Sequence, residues 1–186
     1  SSQPMEVYTN IKSQISGKHT TFYASGQEGI VAFYNSGLPD GEYLEYHPNG
    51  RLSTRGTYRN GKEEGEWTNW YSNGKPRQVR NYSNGVVTGL VRDYFMNGIP
   101  ESETNFNSSG KQDGLKTTWD HMGRKVLEEI YRDGMLVKMT SGFGTPDNLS
   151  VYGSDDGTFT YRVITPDGRL RSEGAYDKGL MTGEIR

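Results

Sequence analysis

Three glycines recur together along the chain with a period of 24 residues. The first opens each repeat, at Gly17, Gly41, Gly65, Gly89 and, after a one-residue insertion, Gly114. The second lies nine positions on, at Gly26, Gly50, Gly74, Gly98 and Gly123, and the third at Gly37, Gly61, Gly85, Gly110 and Gly134. Asn49, Asn73 and Asn97 precede the second glycine, while Tyr34, Tyr58, Tyr82, Phe106 and Tyr131 lie just before the third. A further aromatic follows the opening glycine at Phe22, Tyr46, Trp70, Tyr94 and Trp119. The phase returns with Asp167-Gly168, Tyr176, Gly179 and Gly183, so six repeats cover most of the 186 residues.

Asn-Gly between strand-like runs marks a hairpin, because a two-residue type I′ turn needs positive φ at both central positions. Two such corners per repeat leave two strands, and the expected fold class is all-β: an elongated single-layer antiparallel meander of repeated β-hairpins. With two-residue corners and no bulges, strand alternation assigns the faces. One face receives His19, Tyr43, Trp67 and Val91, then Tyr23, His47, Tyr71 and Phe95, together with Tyr34, Tyr58, Tyr82, Phe106 and the repeat-opening glycines. Rings there are expected to lie over glycine backbone and to form the core. The opposite face carries Phe22, Tyr46, Trp70, Tyr94, Trp119 and Ile164 among Thr, Arg and Glu, and is the wetter one. Pro76 and Pro100 share a repeat position where a missing backbone donor implies lost pairing or a bulge.

Composition agrees with a turn-rich β protein. Glycine is abundant at 25 residues, and the 13 tyrosines, 3 tryptophans and 6 phenylalanines stand in for scarce aliphatics. With 21 basic against 23 acidic residues, a net charge of −2 and no basic cluster, nothing marks a nucleic-acid surface. No stretch approaches the apolar length of a membrane span, so direct insertion is not expected. Cysteine is absent, which excludes disulfides, thiolate metal sites and cysteine nucleophiles. The opening Ser1-Ser2-Gln3-Pro4 reads either as a tag remnant or as a mature end left by a removed export signal, which keeps envelope, lipoprotein and cytoplasmic locations open.

The segment from Tyr58 to Gly74, with Gly65, Trp67, Trp70 and Tyr71 inside it, resembles the MORN repeat (membrane occupation and recognition nexus). More specifically, it looks like the bacterial variant found in YwqK-type antitoxin proteins. The pattern recurs over Tyr34–Gly50 and Tyr82–Gly98 and departs at Lys116 and Asp120, which replace aromatics, and over residues 138–158. Four segments follow. Residues 1–16, with Met5, Tyr8, Ile11 and Ile15 at helical spacing, form a cap; residues 17–137 hold five repeats; residues 138–158 are an eroded repeat or a functional loop; residues 159–186 complete a sixth.

The three histidines fall at different repeat phases, and adjacent carboxylates such as Glu128 and Glu129 point to opposite faces of a strand. Phosphate-loop, metalloprotease and serine-hydrolase motifs are absent from the sequence, and no metal, cofactor or catalytic residue is expected. The resemblance implies a non-catalytic protein-binding chain, an immunity or antitoxin-type protein that neutralises a toxin by occlusion. Its candidate contact residues are Tyr46, Trp70, Tyr94 and Trp119 on the wetter face, with Phe143 and Tyr152 from the irregular segment, since tyrosine and tryptophan are enriched at hot spots. The alternatives are a membrane-peripheral or envelope scaffold and a carbohydrate-binding surface.

Overall fold

The computed structural model describes residues 15–141, 150–164 and 169–183. Among them every regular element is a strand: β1 (Gly17–Phe22), β2 (Glu28–Asn35), β3 (Leu38–Tyr46), β4 (Leu52–Arg59), β5 (Lys62–Trp70), β6 (Pro76–Ser83), β7 (Val86–Tyr94), β8 (Pro100–Phe106), β9 (Gln112–Trp119), β10 (Lys125–Arg132), β11 (Met135–Ser141), β12 (Ser150–Gly153), β13 (Phe159–Ile164), β14 (Leu170–Asp177) and β15 (Leu180–Met181). Strands β1 to β12 form one antiparallel sheet in chain order that does not close on itself, and β13 to β15 form a second sheet. The expected all-β meander is therefore the fold. The capping helix expected at the N-terminus lies outside the described residues. Two compact units divide the chain, residues 1–88 with 96–98 and residues 89–95 with 99–186.

The two corners of a repeat are chemically different, which corrects the expectation of identical type I′ turns. At the third glycine both turn residues take positive φ, as at Asn60 (50°) and Gly61 (81°), or Asn84 (53°) and Gly85 (83°). At the second glycine only the glycine does, and the corner is longer: the Gly74 amide donates to the Tyr71 carbonyl and the Tyr71 amide to the Lys75 carbonyl. The difference comes from the preceding repeat. The Gly61 amide donates to the Pro39 carbonyl and the Asn60 amide to Asp40 Oδ1, an anchorage repeated by Gly85 and Asn84 on the Glu63 carbonyl and Glu64, and by Gly134 and Asp133 on the Gln112 carbonyl and Asp113. Gly110 breaks the rule because the inserted residue lengthens its corner. There the Gly110 amide donates to the Asn107 carbonyl and the Asn107 amide to the Lys111 carbonyl, the pattern of the longer corner.

Bulges interrupt the strands, at the two prolines as expected and also where the alternation assumed none. Pairing slips beside the longer corner at Glu45/Tyr46, Asn69/Trp70 and Asp93/Tyr94. Trp70 faces Pro76 and Tyr94 faces Pro100 at these slips, so the prolines do sit at bulges; Tyr46 facing Leu52 shows that the bulge belongs to the repeat and needs no proline. A second slip surrounds the opening glycine, between Ala32 and Tyr34 on β2 opposite Gly41, and between Arg55 and Thr57 on β4 opposite Gly65. The opening glycines serve this backbone irregularity, with φ of 124° at Gly41 and 70° at Gly65. Most of them do not carry rings: a side chain at Gly17, Gly65 or Gly89 would meet nothing within 4 Å, and only Gly41 lies against one, that of Phe33.

In the first unit the core is a packed row of rings on one face. Tyr43 stacks on Trp67 at 5.5 Å, while Tyr58 and Tyr82 meet Trp67 edge-on at 4.9 and 6.1 Å, and His19 meets Tyr34 likewise. Gly56, opposite Tyr43 on β4, is the glycine that makes room, for its missing side chain leaves the space that the Trp67 indole fills. Each aromatic pair contributes about 0.5–1.5 kcal/mol beyond simple burial. In the second unit Met139 and Tyr161 are buried against Leu127, Tyr152, Phe159 and Tyr176, and this cluster seats the three-stranded sheet on β10 to β12. Tyr161 covers Gly174 as Trp67 covers Gly56.

Candidate functional site

The ring face offers little chemistry to a partner. Its ring faces are turned on each other, Trp67 is 8% exposed with its indole N–H donated to the Thr57 carbonyl, and the hollow above it is open and shallow at about 220 Å³. Burial pushes the Tyr43 phenol up to about 12, with the nearby Glu45 carboxylate adding to the effect, so the group stays neutral at physiological pH.

At the fifth repeat the same face changes character. Lys116 stands where Tyr43 and Trp67 stand earlier, and it pairs across the strands with Glu129 at 2.7 Å. Glu129 is 7% exposed, and its other oxygen accepts the Tyr131 hydroxyl at 3.0 Å. Burial, then the charge of Glu129, drive the Tyr131 phenol well above its ordinary range. Lys116 also lies 5.9 Å from the Tyr131 ring centre, a cation over an aromatic. Glu128, one residue along, points elsewhere and pairs with Lys125, in keeping with the alternation read from sequence.

The opposite face is less filled. In the first unit Trp70 lines an open hollow of about 340 Å³ with Glu42, Arg55, Thr57, Glu66 and Thr68. Its carbonyl accepts the His47 Nε2–H at 2.9 Å, while its indole N–H makes no hydrogen bond among the described residues. Tyr46 holds the equivalent position one repeat earlier, its carbonyl accepting the Tyr23 hydroxyl. In the second unit Leu115 and Ile130 face each other across β9 and β10 and stay 44% and 37% exposed. Val151, 59% exposed, and Ile130 line a further open hollow of about 420 Å³ with Val137, Arg132 and Lys138.

Of the six contact candidates, Tyr46 and Trp70 belong to the first unit and Tyr94, Trp119 and Tyr152 to the second. Tyr46, Trp70, Tyr94 and Trp119 are all half-buried at strand ends beside the longer corners. Tyr152 instead packs in the Met139 cluster with its hydroxyl donating to the Arg162 carbonyl, and Phe143 lies outside the described residues. The apolar pair Leu115 and Ile130 escaped the sequence reading. Its only signal was two large aliphatics that share a face once the strand register is known.

Among the described residues no group of three or more His, Asp or Glu side chains could hold a metal, and no helix is long and apolar enough to cross a membrane. Residues 39–60 and 63–84 each match the MORN repeat variant, covering β3 through β6. Repeats of this kind are in general non-enzymatic and bind proteins or membranes. No curated protein sequence matches the chain.

Proposed function

We propose that this is a non-catalytic repeat protein that acts by binding another protein, and that its partner is a toxin neutralised by occlusion. The observation that carries the binding reading is the contrast between the faces. In the first unit one face is closed by ring packing while the other leaves Trp70 against an open hollow; in the second unit one face is closed by an ion pair and an apolar cluster, while the other leaves Ile130 and Val151 lining an open hollow and Leu115 exposed beside Ile130. Large exposed apolar side chains grouped on one surface mark interaction sites. The toxin rests on the likeness of Tyr58–Gly74 to antitoxin-type repeats alone. Stacking on glycans draws little support from a ring face whose rings cover one another.

The test is affinity capture from the source cells with the wild-type chain and with Trp70→Ala and Ile130→Asp. One stoichiometric protein, reduced at least about tenfold in a variant that removes a hot spot, whose toxicity the chain suppresses, is the expected result. Specific flotation with liposomes and no protein partner would point to a membrane scaffold instead.

A further inference from the structure

We infer that the hollow beside Trp70 is a receptor for a basic side chain, arginine or lysine, of the protein partner; this rests on the binding reading above. Glu66, Thr68 and Trp70 alternate along β5, so they share one face, with the carboxylate and the indole four residues apart along the strand and Thr68 midway between them. Across the neighbouring strands stand Glu42, Arg55 and Thr57, and Gly56 adds only backbone to the lining.

The charges set the preference. Arg55 is engaged: its Nη2 lies 3.0 Å and its Nε 3.1 Å from Glu42 Oε1. Glu66 is exposed, and its carboxylate makes no ion pair or side-chain hydrogen bond among the described residues. Two carboxylates against one neutralised guanidinium leave a net negative hollow, and the Trp70 side chain gives it an aromatic wall on which a cation can pack. An anionic group would have to displace Glu42 from Arg55 to gain a partner. A cation gains Glu66, the Trp70 ring and the Thr57 and Thr68 hydroxyls with nothing displaced. Trp67, three residues earlier on the same strand, shows the contrast, being enclosed by other rings with its N–H satisfied internally.

The experiment is an NMR titration of the isotopically labelled full chain with capped tripeptides Gly-Arg-Gly, Gly-Lys-Gly and Gly-Gln-Gly, the Trp70 indole signal being assigned by its loss in Trp70→Phe. The Trp70 signal should shift saturably with the arginine and lysine peptides, and affinity should fall at least about threefold in Glu66→Gln and in high salt. The signals of Trp67 and Trp119 should stay in place. Equal response to the glutamine peptide, no saturable shift, or an unchanged affinity in Glu66→Gln would overturn the inference; unchanged signals elsewhere in Glu66→Gln certify that the variant is folded. A peptide failure beside successful partner capture would remove only this contact, whereas peptide binding without any captured partner would remove the function proposed above and leave the site.

Discussion

The indole of Trp67 occupies the space that a side chain at Gly56 would need: a Cβ built on Gly56 falls 2.1 Å from Trp67 Cδ2 and 2.2 Å from Cε2. Trp67 is buried between Tyr43, Tyr58 and Tyr82 and has no direction in which to yield. Gly56→Ala is expected to lower stability by about 1–3 kcal/mol, the usual cost of overpacking. Urea unfolding measures it, and Trp67→Leu in the same chain should recover part of the loss by opening the space. A Gly56→Ala chain as stable as wild type would show that the ring is not held there.

The corner anchors make a prediction that separates shape from charge. Asp40 Oδ1 accepts the Asn60 amide at 3.2 Å, and Glu64 Oε2 the Asn84 amide at 2.8 Å. Asp40→Ala should cost about 1 kcal/mol, the net worth of one such bond. Asp40→Asn, which keeps an acceptor oxygen, should cost little. Faster hydrogen exchange at the Asn60 amide in the alanine variant only is the accompanying readout.

Lys116 and Glu129 form a pair that is harmful to break and cheap to replace. Lys116→Met leaves a buried carboxylate with the Tyr131 hydroxyl as its remaining donor and should lower stability by about 2–3 kcal/mol, somewhat under the usual cost because the lysine end reaches solvent. The double variant Lys116→Tyr with Glu129→Gly recreates the Tyr43 and Gly56 arrangement and should recover most of that loss. Thermal unfolding of the three chains forms the comparison.

Alkaline pH should unfold the protein before its surface titrates fully. Burial holds the Tyr43 phenol near 12 against about 10 in the unfolded chain, and Tyr131, Tyr58 and Tyr176 are raised in the same sense. The folded state therefore keeps protons that the unfolded state releases. The stability from these groups is complete below about pH 10 and is lost as pH climbs toward 12. Phenolate absorbance followed beside circular dichroism should show part of the tyrosine titration arriving with unfolding. In Tyr43→Phe the fall of stability with pH should be shallower.

Much of this fold could be read from sequence because alternation along a strand survives whatever happens at its ends. Tyr43, Trp67, Tyr58 and Tyr82 were placed together on that ground, and they meet. Asn49-Gly50 and Asn60-Gly61 are the same dipeptide with different geometry, because the second pair is anchored to residues some twenty positions earlier, an interaction that no local pattern contains. Alternation without the two-residue slip sets a ring over every opening glycine; once the slip is counted, Gly56 takes that role for Trp67, and of the opening glycines only Gly41, against Phe33, keeps a ring within 4 Å. Trp70 was legible as the large residue on the wetter face, but its neighbours Glu42 and Arg55 come from other strands and required the register. Tyr152 could not be placed because the phase is lost after residue 138, and its packing depends on the second sheet.

The anchored corner has a bearing on how such a chain could have grown. A copy of regular length brings the donors that fasten it to its predecessor and the acceptors on which its successor fastens, as Asn60 with Gly61 and Glu63 with Glu64 do within a single stretch. Tandem duplication of one 24-residue block would thus deliver a ready-made joint on either side, while a stray extra residue must be swallowed at a bend, as between Asn107 and Lys111. Copy number is free to drift in whole blocks, and the individual strands are not.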